Sequence, residues 1–422
     1  MSRAYSWTIT GYCPWFLGIS TGLVLLLGAA LSTPYLRYRF SDASSLRQLP
    51  ISMRVPSKGP GQPPVLAYSI SGRGGDAARM LRLLEATYHP RNQYLLQLDH
   101  DHERIQLALS VQSETVFRAY GNVHVVGRSY AVNPMGASAL ASTLHAAALL
   151  LRISPHWDWV VVLSASDYPL VPQDDLLHAF SFLPRDLNFI DFTSSTGWKE
   201  RQKANRIVVD PSLYLKKKAP LFYAVESRAA PDAFKVFGGS PYVILSRGFT
   251  DYCVNGWDNL PRKLLMYFNN VLLPLELYFH TVLCNSPEFH NTTVADDLGL
   301  SYSVAWHTGT GQPRQLDISH YDKMVSGHAV FARAFKEGDQ LLSKIDADVL
   351  RRAEDRVVPG KWCEFGPAKG MDARSLMCPA DNCTSWGDIN SIRPGSSGLK
   401  LATLFSKLGK GGRLRANHCH NT

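Results

Sequence analysis

The stretch WDWVVVLSASDYPL, Trp157 to Leu170, runs apolar from Trp159 to Leu163 and then breaks into Ser164, Ser166 and Asp167. A short continuous apolar run of this kind reads as a buried strand. In an open α/β sheet, ligands bind beyond the carboxyl ends of the strands. A carboxylate delivered there, with Tyr168 and Pro169 fixing the turn, makes Asp167 a candidate ligand contact. An ordinary strand-end turn uses the same residue types, so the neighbouring segments decide.

Working outward, PVLAYSIS (Pro64 to Ser71) reads as a buried strand and Asp76 to Thr87 as a helix with Met80, Leu81, Leu83 and Leu84 inward. QYLLQLD (Gln93 to Asp99) is the next strand. A helix near Glu103 to Phe117, a strand at Val123 to Val126, a helix over Met135 to Leu151 and the strand Val160 to Leu163 follow. This alternation predicts an α/β fold with a mostly parallel sheet covered by helices on both faces. Farther on, Pro172 to Leu183 reads as a helix, Asn188 to Phe192 and Tyr242 to Ser246 as strands, and two aromatic-rich helices flank Leu273.

The ends of the chain read differently. Trp15 to Leu31 is uncharged and just long enough to cross a bilayer as a helix, so residues 1–14 read as a cytosolic tail and 15–31 as an uncleaved anchor. Residues 32–64, rich in Pro, Gly, Ser and Arg, read as a stem, 65–358 as the main domain and 359–422 as a Cys/Gly/Pro-rich tail. Arg37, Arg39, Arg47 and Arg54 follow the apolar run and favour a cytosolic domain. The glycosylation acceptors at Asn291 and Asn382 favour the secretory lumen. So do seven cysteines, with Cys363, Cys378, Cys383 and Cys419 crowded near the end and Cys13 the natural unpaired one. The net charge of +9 fits an anionic substrate as readily as an ordinary solvated surface. The chain lacks the aromatic and basic interleaving of RNA-binding proteins, so nucleic acid is not an expected partner.

Two strand ends carry further chemistry. The turn SGRGGD, Ser71 to Asp76, follows a strand and opens a helix, so its amides are placed to receive a phosphate. Its glycines, Gly72, Gly74 and Gly75, do not follow the dinucleotide pattern. Asp99-His-Asp101 has the form of a metal-holding DxD but sits at the second strand, where a base or ribose is met, and Asp99 is read as a nucleotide contact. No Cys or His spacing suggests zinc.

With AYSISGRGGD, LEATYHPRNQYLLQLD, GNVHVV, DWVVVLSASDYPL, FTSSTGWKE, FGGSPYVILSRGF, GWDNLPRKLLMYF, LELYFHTVLCNSPEFHNTT and FARAF in order from about Val65 to Cys363, the chain resembles glycosyltransferase family 14. This is the core-2/I-branching type, and the likeness is to its plant β-glucuronosyltransferase branch. The resemblance implies a GT-A-like fold and a single-pass Golgi-membrane protein with its catalytic domain in the lumen. It further implies a UDP-sugar donor, UDP-glucuronate, a galactan or arabinogalactan acceptor, inversion at the anomeric carbon, and no metal or other cofactor.

The same resemblance assigns residues. Inverting transfer needs one carboxylate to take the proton of the attacking hydroxyl. The family's base falls on Glu276, where this chain reads Leu-Pro-Leu-Glu-Leu and related plant chains read Ser-Pro-Glu-Gly; Glu288 is the competing carboxylate. Charge developing on UDP must be met by fixed cations. The family supplies an Arg-Lys pair, here Arg333 and Ala334, with Lys336 two positions on. Ser240 is expected beside the donor sugar. Trp198, Lys199, Trp257 and Trp306 are candidate acceptor contacts, each Trp being equally at home in a core.

Overall fold

The computed structural model describes residues 54–191, 204–215, 217–229, 231–294, 302–304, 314–364, 385–412, 414–415 and 419. In chain order the first half gives β1 (Leu66–Gly72), α1 (Ala77–Ala86), β2 (Gln93–Leu98), α2 (Asp101–Ser113), α3 (Thr115–Tyr120), β3 (Val123–Val125), α4 (Ala137–Ile153), β4 (Trp159–Ser164), β5 (Tyr168–Pro169) and α5 (Gln173–Ser181). The second half gives β6 (Arg206–Val209), β7 (Phe222–Ser227), β8 (Ile244–Ser246), α6 (Arg247–Asn255), α7 (Leu260–Phe268), α8 (Tyr278–Asn285) and β9 (Tyr302–Val304). It ends with α9 (Tyr321–Ser326), β10 (Phe331–Arg333), α10 (Gln340–Ile345), β11 (Cys363–Glu364), β12 (Ser385–Trp386) and α11 (Ser396–Lys410).

The central sheet has the order β3-β2-β1-β4-β8, parallel throughout except for β8 at one edge. Successive side chains of a strand point to opposite faces, and the core divides accordingly. Leu66, Tyr68 and Ile70 join one buried cluster with Met80, Leu83 and Leu84 of α1, whereas Val65 and Ala67 join the other with Leu140, Ala146 and Leu150 of α4. A smaller sheet, β5-β10-β9, abuts the end of β4.

The expected helix from Glu103 to Phe117 is two helices, because Glu114 adopts extended geometry (φ −70°, ψ 121°) between α2 and α3. The expected strand at Asn188 to Phe192 is reduced to single bridges from Asn188 to Thr293 and Phe189 to Ile244. Asn188 spends its side chain there, accepting from the Ser246 amide (2.8 Å) and donating to Thr292 Oγ1 (2.9 Å).

In the terminal region, α11 buries Leu401, Phe405 and Leu408, and the Phe405 ring meets Phe180 of α5 edge-on at 5.8 Å. The acidic start of α5 receives the incoming chain: Asp174 accepts the Lys361 (3.2 Å) and Arg393 (2.9 Å) amides, and Asp175 accepts that of Gly395. A disulfide joins Cys419 to Cys284 of α8. Among the described residues the free cysteine is Cys253, buried in α6; Cys13 lies outside them.

The segments 1–14 and 15–31 also lie outside the described residues. Among the described ones no helix is long and apolar enough to cross a membrane. That corrects the expected Golgi-membrane, single-pass localisation. A span needs about 20 apolar residues, and α4, with 17 residues, buries its apolar side against the sheet.

Candidate active site

The sheet order places the topological switch point between β1 and β4, since the chain runs from β1 to β2 and β3 on one side and then crosses back to β4 on the other, so the carboxyl ends of β1 and β4 border the crevice where such folds bind ligands. Ser71 and Ser164 lie in register there, and the Ala165 amide donates to Ser71 O (2.8 Å). The turn after β4 is closed by Asp167, whose carboxylate accepts the Ser164 amide at 2.7 Å. β10 then pairs antiparallel with β5, Ala332 opposite Tyr168, and the Phe335 amide donates to Ser166 O (2.9 Å).

This pairing sets Arg333 on Asp167. Arg333 Nε lies 2.7 Å from Asp167 Oδ1, and both side chains are almost wholly buried. Arg333 Nη2 donates to Ser164 Oγ and more distantly to Ser166 Oγ (3.4 Å), while the guanidinium stacks 3.7 Å from the centroid of the Tyr242 ring. Among the described residues nothing accepts a hydrogen bond from Nη1. Burial pushes the Asp167 carboxyl up, opposed by the Arg333 charge and the Ser164 amide.

Glu276 enters from another direction. It ends a single 3-10 turn, Pro274–Glu276, launched by Leu273 in the left-handed region (φ 53°), a conformation costly for a residue with a branched side chain. The Leu273 amide donates to Met135 O just before α4, and the Glu276 carbonyl accepts the Gly239 amide, both at 2.9 Å. Gly239 has to be glycine: a Cβ there would meet Asp191 O at 2.1 Å and His280 Nε2 at 2.4 Å. The Ser240 amide donates to Asp191 O (2.9 Å) and Ser240 Oγ accepts the Tyr242 amide (3.2 Å), so this corner is pinned from both sides. His280 Nε2 also faces Asp191 O, at 3.3 Å, and burial lowers the His280 pKa to about 4, keeping the ring neutral.

Tyr242 ties the two halves together. Burial raises its phenol pKa, Arg333 opposes that, and Asp167 and Glu276 add to it, so all three charges act on one ring. The cluster is therefore a buried Asp-Arg pair, a phenol stacked on it and a half-buried carboxylate at the end of a strained turn. A carboxylate can take a proton, and a guanidinium with an uncommitted NH2 can meet an oxyanion.

The remaining predicted residues lie outside the Arg333–Tyr242 cluster. Ser71 is exposed at the end of β1. Asp99 is committed to the glycine turn, accepting the Gly74 amide at 2.8 Å, while Glu103 accepts that of Gly75 at 2.7 Å, so the amides read as phosphate donors are held by the protein's own carboxylates. Asp101 opens α2 beside Arg104 (3.4 Å), and no group of three His, Cys, Asp or Glu able to hold a metal occurs among the described residues. Lys336 and Glu288 are exposed. Trp257 is 65% exposed and packs edge-on to Tyr252 at 5.2 Å. Asn291 lies at the surface; Trp198, Lys199, Trp306 and Asn382 lie outside the described residues. Sequence reasoning missed Tyr242 and His280, for which the only signals were an aromatic at the head of a strand and a histidine inside an apolar helix.

The model of the family described as core-2/I-branching enzyme matches residues 66–325. Beta-glucuronosyltransferase GlcAT14A of Arabidopsis thaliana is 45% identical over 361 residues, 85% of this chain and 78% of that protein. Beta-glucuronosyltransferase GlcAT14B of the same plant is 42% identical, over 97% and 94% respectively. Human xylosyltransferase 1 is 31% identical over 56% of this chain and 24% of its own length.

Proposed function

We infer the activity from the family: the chain belongs to the core-2/I-branching enzymes, and it is a glycosyltransferase that moves glucuronic acid from UDP-glucuronate to β-linked galactan of the arabinogalactan type. The domain is then GT-A-like, with the donor at the switch point of its sheet. Glu276 removes the proton of the acceptor hydroxyl as that oxygen bonds to the anomeric carbon. The carbon's bond to the β-phosphate oxygen breaks on the opposite face, inverting the centre, and UDP leaves with the bonding pair. Arg333, aimed by Asp167 and steadied by Tyr242, meets the charge on the departing diphosphate. Because a cationic side chain serves the leaving group, the transfer proceeds without a metal.

The observation that carries this reading is the buried Arg333–Asp167 pair, stacked on Tyr242 at the carboxyl edge of the sheet, in a chain so similar to two β-glucuronosyltransferases. Xylosyl transfer is the weaker reading, because its relative matches less of the chain at lower identity.

The test offers UDP-glucuronate, UDP-xylose and UDP-N-acetylglucosamine with β-galacto-oligosaccharides. Glucuronate incorporation that persists in EDTA is expected. Preference for another donor would overturn the donor assignment. Activity abolished by EDTA and restored by manganese, with Asp99→Asn inactive, would overturn metal independence.

A further inference from the structure

We propose that the β6–β7 hairpin is an extended acceptor subsite, on which the galactan chain beyond the reacting sugar stacks on an exposed aromatic ring of one face; this rests on the transferase reading above. All six residues of β7 are exposed, among them Phe222 at 65% and Tyr223 at 46%. Tyr214, in the connection between the two strands, is 73% exposed. Val209 pairs with Phe222 across the ladder and Val208 with Tyr223, so the two rings stand on opposite faces of the ribbon. Arg206 lies 5.0 Å over the Tyr223 ring and steadies it. A soluble domain rarely leaves so many large apolar groups together in water unless something covers them. Flat aromatic faces with a polar edge suit the apolar face of a pyranose.

The occupant follows from where the hairpin is rooted. Asp210, at the end of β6, accepts the amide (2.9 Å) and hydroxyl (2.6 Å) of Ser138 at the start of α4. A Cβ at Gly136 would come within 2.2 Å of that carboxylate, so the contact requires glycine. The Val208 amide donates to Asn270 O (3.0 Å), three residues before Leu273, and Leu273 itself is held by Met135 O. The hairpin and the Glu276 turn thus share one foundation. The ribbon is thus anchored beside the turn that carries the candidate base, where a sugar polymer held by its reacting end at Glu276 continues.

The test compares the full chain with its Phe222→Ser/Tyr223→Ser variant, using galactobiose and long β-galactan as acceptors. Exposed side chains leave the thermal midpoint unchanged. KM for the long galactan is expected to rise roughly five- to tenfold in the variant, with kcat and the galactobiose KM unchanged. Equal behaviour of both acceptors in variant and wild type overturns the proposal. Affinity electrophoresis in galactan gels reads binding without turnover. Retardation lost in the variant supports the subsite even if glucuronate is the wrong donor, and retardation unchanged overturns it. Loss of phosphatidylcholine vesicle binding in the variant, with galactan retardation intact, assigns the rings to a membrane surface instead.

Discussion

Two buried arginine-aspartate assemblies lie on either side of Tyr168, and they are bonded very differently. On one side Asp346 accepts from Arg82 Nη2 (2.8 Å) and the Tyr168 hydroxyl (2.6 Å) and forms an ion pair with Arg352, whose Nε lies 3.2 Å away. Arg82 reaches on to Glu354 (2.5 Å) and Arg352 to Glu85 (3.5 Å), closing a lattice of charges that satisfy one another. On the other side Asp167 and Arg333 pair at the sheet's carboxyl edge, and Arg333 keeps an NH2 that nothing described accepts from. A saturated assembly has no donor left for a ligand, so its worth is structural. An incompletely bonded cation at a ligand crevice is prepared for an anion that the protein does not supply.

Removing one partner from each assembly should separate those roles most sharply. Asp346→Ala leaves two guanidinium groups underbonded in the interior and is expected to cost about 3–5 kcal/mol of stability, while the folded fraction retains its kcat. Arg333→Ala should abolish glucuronate transfer even at temperatures where the variant is folded. Urea melts read beside single-time-point assays decide it. Normal kcat in Arg333→Ala, or a folded Asp346→Ala with no transfer, would reverse the assignment.

Glu276→Gln keeps the shape and the backbone bond to Gly239 but cannot accept a proton. Transfer is expected to fall by roughly 10²-fold or more, with UDP affinity and the melting temperature nearly unchanged. Near-normal turnover, together with collapse in Glu288→Gln, would move the base to Glu288.

The saturated lattice has its own pH signature. Burial raises the Glu85 carboxyl to about 7, with Arg352 pulling it down. A carboxyl raised in the folded state holds its proton better there than in the unfolded chain. Its contribution is therefore fully present below the ordinary carboxyl range and is lost as pH climbs through about 7. Stability should decline by about 3 kcal/mol between pH 4.5 and 7.5 from this group, and Glu85→Gln should flatten that part of the curve. An identical pH slope in the variant would remove Glu85 as its source.

How legible this was depended on whether the signal was local. The break from Leu163 into Ser164 and Asp167 announced a strand end, and the alternation from Val65 to Leu163 announced the sheet, because period and turn chemistry act over a few residues. The partner of Asp167 lies 166 positions away on β10, and no pattern near either residue encodes that pairing. The link from Cys284 to Cys419 spans 135 residues and is equally silent in the sequence. Asp99 illustrates a different difficulty. Its type and place suit a nucleotide contact, yet the carboxylate is taken by the Gly74 amide of the fold itself, and either role needs the same residue type. The helix α11 was readable but overlooked, since Leu401, Leu404, Phe405 and Leu408 recur at helical spacing inside a tail whose glycines and cysteines suggested loops.

The smallest effect tests the position where the chain departs from its family. β10 ends at Arg333, and the next residue, Ala334, is half-buried, with its carbonyl accepting the Leu316 amide (2.9 Å). Backbone bonds therefore fix this position, and a longer side chain need not disturb them. A lysine there would add a cation beside an arginine whose charge Asp167 partly cancels, whereas Lys336 stands exposed two residues on. One added charge-assisted contact is worth about 1 kcal/mol net once the lysine's own freedom is lost. Ala334→Lys should accordingly tighten UDP roughly threefold to fivefold, leave the melting temperature alone, and make binding more sensitive to salt. Unchanged affinity at low ionic strength would mean that the diphosphate does not pass over Ala334, and the donor would have to be placed nearer Arg333 Nη1 alone.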